Sequence, residues 1–311
     1  MPIRSLDLLD LPSLARYRRD VLSLDSARTL TRGNPLGAAA LFSYLNPRRH
    51  IYTAVSTYGA VSFIGQVAQQ YGETFARLSF LAPSAALNGG EIALLDHLAA
   101  QAGEWGALHL LAEVDEQCMV FKSLRKSGFS MYAWQRVWRL TDALANEGRG
   151  MWQMPSSTDM LSVQSLYCQI VPALIQPVEP MPRQPAGLIC RTDTGLQAYA
   201  ALTSGPAGIF IQPFVLPDAV CVPESLAALL REIPNRNGRP VYICVRSYQA
   251  WLESALEGLG AEAGPRQAVM VKRLAKMQKV EEKITVMEKA LKPAAPIASS
   301  TEMLYSGKEK K

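Results

Sequence analysis

Residues 75–83 read FARLSFLAP, an apolar run that ends at a proline and is typical of a buried β-strand. Downstream, residues 91–101 have the composition of a helix that Gly103 ends, and residues 108–111 (LHLL) predict a second buried strand. Residues 117–126 predict an amphipathic helix that Ser127-Gly128 ends, and residues 134–140 alternate in hydrophobicity as a strand does. This order of elements indicates an α+β domain built on a central sheet.

The residues upstream extend the same domain. Residues 51–55 and 60–64 predict two more strands, because Tyr58-Gly59 and Tyr71-Gly72 separate the three strands as hairpin turns do. Two helices are predicted before them, at residues 9–24 and, after Pro35, through residues 38–42. The first domain is therefore predicted to span residues 1–140, and the polar, glycine-containing residues 141–151 a linker.

The same order of elements begins again after the linker, so we expect a second domain over residues 152–273. A helix is predicted to open at Asp159, and the elements after it follow in the earlier order: strands at 187–191, 196–202 and 209–216, a helix at 224–232, a strand at 240–245, a helix at 249–259 and a strand at 267–273. The spacings also agree, since Pro83 precedes Gly128 by 45 residues and Pro217 precedes Gly260 by 43. Matched spacings of this kind indicate an internal repeat.

The C-terminal residues differ from both domains. Residues 274–292 place their apolar side chains on one helical face, and Pro293 stops the helix. This helix is expected to pack on its own chain, with a partner helix, such as that of a homodimer, as the alternative. Residues 293–311 are rich in Ala, Pro, Ser and Lys, which predicts a disordered tail.

Composition and charge exclude several classes of protein. The chain has 311 residues, of which 49% are hydrophobic and 19% charged, and no apolar run is long enough to span a membrane. The net charge of +5 lies wholly in residues 272–311, so no nucleic-acid partner is expected. Met1–Asp7 lacks the pattern of a secretory signal, and a cytoplasmic location is expected. The cysteines form no CxxC pair and no His/Cys cluster occurs, so buried free thiols and no metal are predicted.

The region from residue 75 to Gly128-Phe129 resembles the GNAT-type N-acetyltransferases, and the order of elements matches over residues 3–140. The second half matches in layout only, and the chain looks like a tandem of two such domains. The resemblance implies acetyl-CoA or coenzyme A as cofactor and a small-molecule or peptide amine as acceptor. It places the thioester at Phe80, Leu81 and Ala82. The pyrophosphate would lie on Asn88, Gly89 and Gly90 at the start of a helix, where free N–H groups bind anions.

Several positions depart from the family's pattern. Ala86 and Glu91 replace two residues of the phosphate-binding loop, and Glu91 would put a carboxylate where the diphosphate lies. Leu124 and Leu256 stand where the family has a tyrosine that protonates the leaving thiolate. The equivalent loop of the second half, at Val220, Pro223 and Ser225, matches at no position.

No residue takes the family's catalytic roles by its position in the motif. Glu73, Glu113 and Tyr132 are the nearest candidates for a base or an acid. Two hypotheses therefore remain. The chain is an acyl-CoA-dependent N-acyltransferase in which only the first half is competent, or it is a non-catalytic relative that serves as a scaffold or ligand-sensing module.

Overall fold

A computed structural model describes residues 3–6, 16–37, 48–140, 152–181, 186–192, 195–219 and 222–274. The predicted helix at 38–42, the linker at 141–151, the C-terminal helix beyond Leu274 and the tail at 293–311 lie outside these residues. The boundaries of the two domains stay predictions.

The described residues form one mixed sheet flanked by helices, so the predicted α+β class is confirmed. The strands of the first half are β1 (Ile3–Ser5), β2 (Leu22–Ser23), β3 (Arg49–Tyr58), β4 (Val61–Gln70), β5 (Phe75–Ala82), β6 (His109–Asp115) and β7 (Ser130–Leu140). Those of the second half are β8 (Trp152–Gln153), β9 (Gly187–Thr192), β10 (Gly195–Gly205), β11 (Gly208–Val215), β12 (Val241–Arg246) and β13 (Glu262–Arg273). The helices are α1 (Ser26–Arg32), α2 (Ile92–Glu104), α3 (Met119–Lys126), α4 (Asp159–Ile170), α5 (Val222–Glu232) and α6 (Leu252–Gly258).

The 13 strands of the described residues belong to a single sheet, in the order β1-β3-β4-β5-β6-β13-β7-β12-β11-β10-β9-β8, with β2 paired to β5. The pairs β5–β6 and β11–β12 are parallel and occupy equivalent places in the two halves. The other pairs are antiparallel.

The two halves exchange their last strands. The final strand of the chain, β13, lies between β6 and β7 of the first half, and β7 in turn pairs with β12 of the second half. Each half therefore completes its sheet with a strand from the other. Helix α1 adds a further link, because the backbone N–H of Ala207 donates to the carbonyl oxygen of Thr31 at 2.9 Å.

Separate apolar cores cover the sheet in each half. Helices α2 and α3 of the first half bury leucines against β4, β5 and β6, and α5 and α6 do the same for the second half. Gly65 on β4 lets α2 pack closely on the sheet, since a Cβ at this position would lie 2.8 Å from the side chain of Leu98. No helix in the described part of the chain is both long and apolar enough to cross a membrane.

Two predicted helix ends in the first half are wrong. The first helix does not reach residue 24: Tyr17–Arg19 form a single 3-10 turn and Leu22–Ser23 are extended. The backbone groups of Leu22–Ser23 pair with β5 instead of with residues of their own turn, as they would in a helix. Gly103 does not end α2, which continues to Glu104 before Gly106 adopts a φ of 85°.

Candidate functional site

The first candidate site is the cleft that opens where β5 and β6 separate. These parallel strands pair only over Phe75–Arg77 and His109–Leu111, and beyond that point they diverge. Residues 20–26, here called the wedge segment, fill the gap. Leu22 and Ser23 pair with Leu81 and Phe80 of β5.

Leu24 bridges the two strands from inside the cleft. Its N–H donates to the carbonyl oxygen of Ser79 on β5 at 3.0 Å, and its carbonyl oxygen accepts from the N–H of Glu113 on β6 at 2.9 Å. Its side chain is 1% exposed and belongs to the core of the first half. The wedge segment therefore acts as a strand between β5 and β6.

Asp20 anchors the beginning of the wedge segment on the turn that follows β5. The carbonyl oxygen of Asp20 accepts from the N–H of Ser84 at 3.1 Å. Its carboxylate accepts from the N–H of Ala85 at 3.0 Å and from the Ser84 hydroxyl. The Ser84 hydroxyl bond is the main cause that lowers the pKa of Asp20. The carbonyl oxygen and the carboxylate of Asp20 thus occupy the backbone N–H groups of Ser84 and Ala85, just after β5.

The end of the wedge segment is held equally firmly. The N–H of Ser26 donates to Glu113 Oε2 at 2.9 Å, and the Ser26 hydroxyl donates to Gln267 Oε1 at 3.1 Å. Asp25 then caps α1, because its Oδ1 accepts from the N–H of Arg28 at 3.1 Å.

A second carboxylate occupies the loop before α2. Glu91 is fully buried, and its Oε2 accepts from the N–H of Gly89 at 2.9 Å, while its Oε1 has no hydrogen-bond partner in the described part of the chain. The Asn88-Gly89-Gly90 turn is therefore folded around a side chain of its own loop. Gly90 is packed tightly, since a Cβ there would lie 2.9 Å from the ring of Phe63.

The residues present do not fit coenzyme A in this cleft. Phe80, Leu81 and Ala82 are fully buried, and the wedge segment covers the backbone of the first two. At the loop, a diphosphate would meet the Glu91 carboxylate, and two anions in one donor set repel each other.

The equivalent cleft of the second half is closed by one side chain. Strands β11 and β12 pair only over Ile209–Ile211 and Val241–Ile243. Beyond them, Gln249 uses its amide as a strand would, because its Oε1 accepts from the N–H of Val215 at 2.9 Å and its Nε2 donates to the carbonyl oxygen of Pro213 at 2.8 Å. Gln249 is 1% exposed. The cavity between the end of β11 and the start of α5 measures about 20 Å³, room for about one water molecule.

The three candidates for acid or base lie apart from the loop at residues 88–90. Glu73 precedes β5, at the opposite end of that strand from Ala82. Glu113 is buried on β6. Burial opposes its ionisation, but Arg246, Arg77 and the Ser26 hydrogen bond outweigh it and lower the pKa of Glu113. Its carboxylate lies 3.8 Å from Arg77, so it is a poor proton acceptor.

Tyr132 on β7 is half-buried, and its hydroxyl group is buried with no hydrogen-bond partner among the described residues. Burial, and then the charge of Glu179, raise the pKa of Tyr132 well above its usual value. Leu124 and Leu256 are fully buried in the two cores, where neither can donate a proton.

A buried ion pair within the second half was not foreseen from the sequence. Arg246 Nη2 lies 3.2 Å from Glu179 Oε1, and the two side chains are 3% and 0% exposed. Arg246 also donates to Gln135 Oε1, and Glu179 Oε1 accepts from Gln212 Nε2 at 2.9 Å. The only signal for it is the charged end of the otherwise apolar strand VYICVR at residues 241–246. Among the described residues, no group of three His, Cys, Asp or Glu side chains is placed to hold a metal ion.

Comparison with known proteins establishes the fold. No protein-family model matches the sequence, and no curated protein matches it. A GCN5-related N-acetyltransferase from Sphaerobacter thermophilus superposes with a TM-score of 0.52 at 13% identity, over 88% of this chain and 95% of that chain. A tandem GNAT protein from the clavulanic acid biosynthesis pathway superposes with a TM-score of 0.50 at 14% identity, over 89% of this chain and 99% of that chain. The resemblance to the GNAT fold is confirmed, including its tandem form.

Proposed function

We propose that this chain is a non-catalytic protein with the tandem GNAT fold, which acts by binding a ligand and not by acyl transfer. The observation that carries the proposal is the wedge segment. It pairs with both strands of the cleft where the resemblance places the acyl-CoA thioester, and Leu24 is buried there.

The energy needed to remove the wedge segment decides between this function and transfer from acyl-CoA. Each of its backbone hydrogen bonds contributes about 0.5–1.5 kcal/mol, and burial of Leu24 contributes about 1.5–3 kcal/mol. Displacing it therefore costs about 5 kcal/mol. A cofactor that would otherwise bind with a Kd of about 1 μM would bind only at millimolar concentration.

Three further observations support the same proposal. Glu91 fills a donor of the phosphate loop with its own carboxylate, Gln249 closes the second cleft, and Leu124 and Leu256 supply no acid. The competing hypothesis is an N-acetyltransferase that uses acetyl-CoA and an amine acceptor. The fold supports this hypothesis, but none of the site residues just named does.

The test is the thermal stability of the full chain with and without 2 mM acetyl-CoA or free coenzyme A. A ligand at 100 times its Kd stabilises a folded protein by about 2.7 kcal/mol, which raises the melting temperature by several degrees. We expect no shift, and no release of free thiol when acetyl-CoA is incubated with a panel of amines.

The variant Glu91→Gln serves as the matched control, because it removes the negative charge from the loop and keeps the side-chain size. We expect it to gain no shift with acetyl-CoA. A shift in the natural chain that becomes larger in Glu91→Gln would place the cofactor in the first cleft and overturn the proposal.

A further inference from the structure

A separate cavity of about 540 Å³ lies between the faces of the two halves. The end of β4, the beginning of β5 and α1 line it from the first half, and β10 and β11 line it from the second half. It meets β5 at Phe75 and Arg77, whereas the first cleft lies at Phe80–Ala82. Its volume is within the range of about 300–1,000 Å³ that is usual for small-molecule sites.

The charges on the cavity wall are mostly positive. Arg28, Arg32, Arg49 and Arg77 line it, against the carboxylates of Asp25 and Glu73. Guanidinium groups stay ionised in proteins and bind carboxylates and phosphates through paired hydrogen bonds. The cavity therefore has two more positive than negative charges and suits an anion.

Two of these arginines are available to a ligand. Arg28 is committed, since its Nη1 donates to Gln66 Oε1 at 2.9 Å and to the Ser79 hydroxyl at 2.8 Å. By contrast, neither Arg32 nor Arg49 has a carboxylate within 4.0 Å in the part of the chain that the structure describes. Arg49 is half-buried. Burial lowers the pKa of Arg49; the charge of Asp25 opposes this effect and that of Arg32 adds to it. A bound anion would therefore stabilise the Arg49 guanidinium.

Aromatic side chains form part of the remaining wall, beside polar and aliphatic ones. Phe75, Tyr199 and Phe214 line the cavity, and the rings of Tyr199 and Phe214 lie 6.4 Å apart in a stacked arrangement. At the side of β5, the Arg77 guanidinium lies 5.8 Å from the centre of the Phe75 ring. Tyr199 and Phe214 are 1% and 2% exposed and back the wall, whereas Phe75 is half-buried and presents apolar surface that suits a flat group attached to the anion.

We infer that this cavity binds a small molecule with one carboxylate or phosphate group on an aromatic body, with the oxyanion on Arg49 and Arg32. The inference rests on the proposed binding function, and it names the site and the ligand class. The buried network fixes the far wall, because Gln212 donates to Glu179 and Arg77 lies beside Glu113.

The test is isothermal titration calorimetry of the full chain with phenyl phosphate, phenylacetate and inorganic phosphate, with benzyl alcohol as the uncharged analogue. We expect phenyl phosphate or phenylacetate to bind with a sub-millimolar Kd, and the tighter of the two identifies the oxyanion. Inorganic phosphate and benzyl alcohol are each expected to bind at least 10-fold more weakly.

Matched arginine variants locate the site. Arg49→Met is expected to weaken binding at least 10-fold, whereas Arg125→Met, an exposed arginine on α3, leaves it unchanged. No binding of either aromatic anion at 10 mM would overturn the inference, and so would equal affinity for Arg49→Met and the natural chain.

Acetyl-CoA, titrated in the same way, separates this inference from the proposed function. Binding of acetyl-CoA that leaves the phenylacetate affinity intact contradicts the proposed function alone. Absence of binding for all the aromatic anions, with no acetyl-CoA bound either, contradicts the assignment of this cavity alone.

Discussion

Replacing Leu24 with alanine tests whether the wedge segment is a permanent part of the core. The Leu24 side chain is 1% exposed and packs in the same cluster as Leu81, Leu94 and Leu98. Truncation of a buried leucine costs about 2–5 kcal/mol, because apolar contacts are lost and a cavity remains. The two backbone hydrogen bonds of residue 24 do not involve the side chain, so the loss measures packing.

Urea denaturation followed by circular dichroism gives this free energy directly. With a slope of about 3 kcal/mol per molar urea, a loss of 3 kcal/mol lowers the midpoint by about 1 M. Leu161→Ala is the matched control, since Leu161 on α4 is 76% exposed and its truncation is expected to change stability by less than about 0.5 kcal/mol. A loss below about 0.5 kcal/mol for Leu24→Ala would show that the wedge segment is a loosely packed loop and not part of the core.

Three more substitutions probe the buried polar groups. Gln249→Met removes the amide that pairs with two backbone groups of β11, and urea denaturation should show a loss of about 2–4 kcal/mol; a change below 0.5 kcal/mol would mean that the second cleft is not held by this side chain. Arg246→Met leaves Glu179 buried without its cation, so we expect a loss of about 3–5 kcal/mol that the double variant with Glu179→Met partly restores; additive losses would contradict direct pairing. Because the folded-state pKa of Glu113 is lowered, its stabilisation is present above its unfolded pKa of about 4.3 and is lost as the pH falls through the folded value. Unfolding midpoints measured from pH 7 to pH 3.5 should therefore fall less steeply at the acid end for Glu113→Gln than for the natural chain, and identical slopes would count against the lowered pKa.

The regular elements of the fold could be predicted because each has a local signal. The alternating strand at 134–140 and the turns at Gly59 and Gly72 are confirmed, with φ values of 60° and 83° at the two glycines. Hydrophobic period and glycine turns are properties of neighbouring residues, so one sequence is enough to find them.

The filled clefts could not be predicted because they depend on partners far along the chain. Leu22–Ser23 is a strand of two residues with no period of its own, and it exists only because β5 offers unpaired backbone groups. Gln249 also depends on a distant partner. The sequence predicts it as the first residue of a helix, but the structure places it in a 3-10 turn, where its side-chain amide pairs with the backbone of β11. The exchange of β7 and β13 could not be predicted either. The hydrophobic pattern of a strand shows which of its faces is buried, but not which strands lie beside it.

For Glu91, the sequence predicted the position but not the environment of the side chain. Counting from Pro83 places it at the start of the helix, and the structure has it immediately before Ile92. Its complete burial and its bond to Gly89 required the fold to be known.

Hydrogen–deuterium exchange of the full chain, with and without 5 mM acetyl-CoA, tests the filled first cleft most directly. The amides of Leu24 and Glu113 donate to partners inside the cleft, so peptides that cover residues 20–26 and 109–115 should exchange as slowly as the core strands. We expect acetyl-CoA to leave this protection unchanged. Faster exchange at residues 20–26 together with slower exchange at residues 80–91 on addition of acetyl-CoA would mean that the cofactor displaces the wedge segment, and would contradict the proposed function.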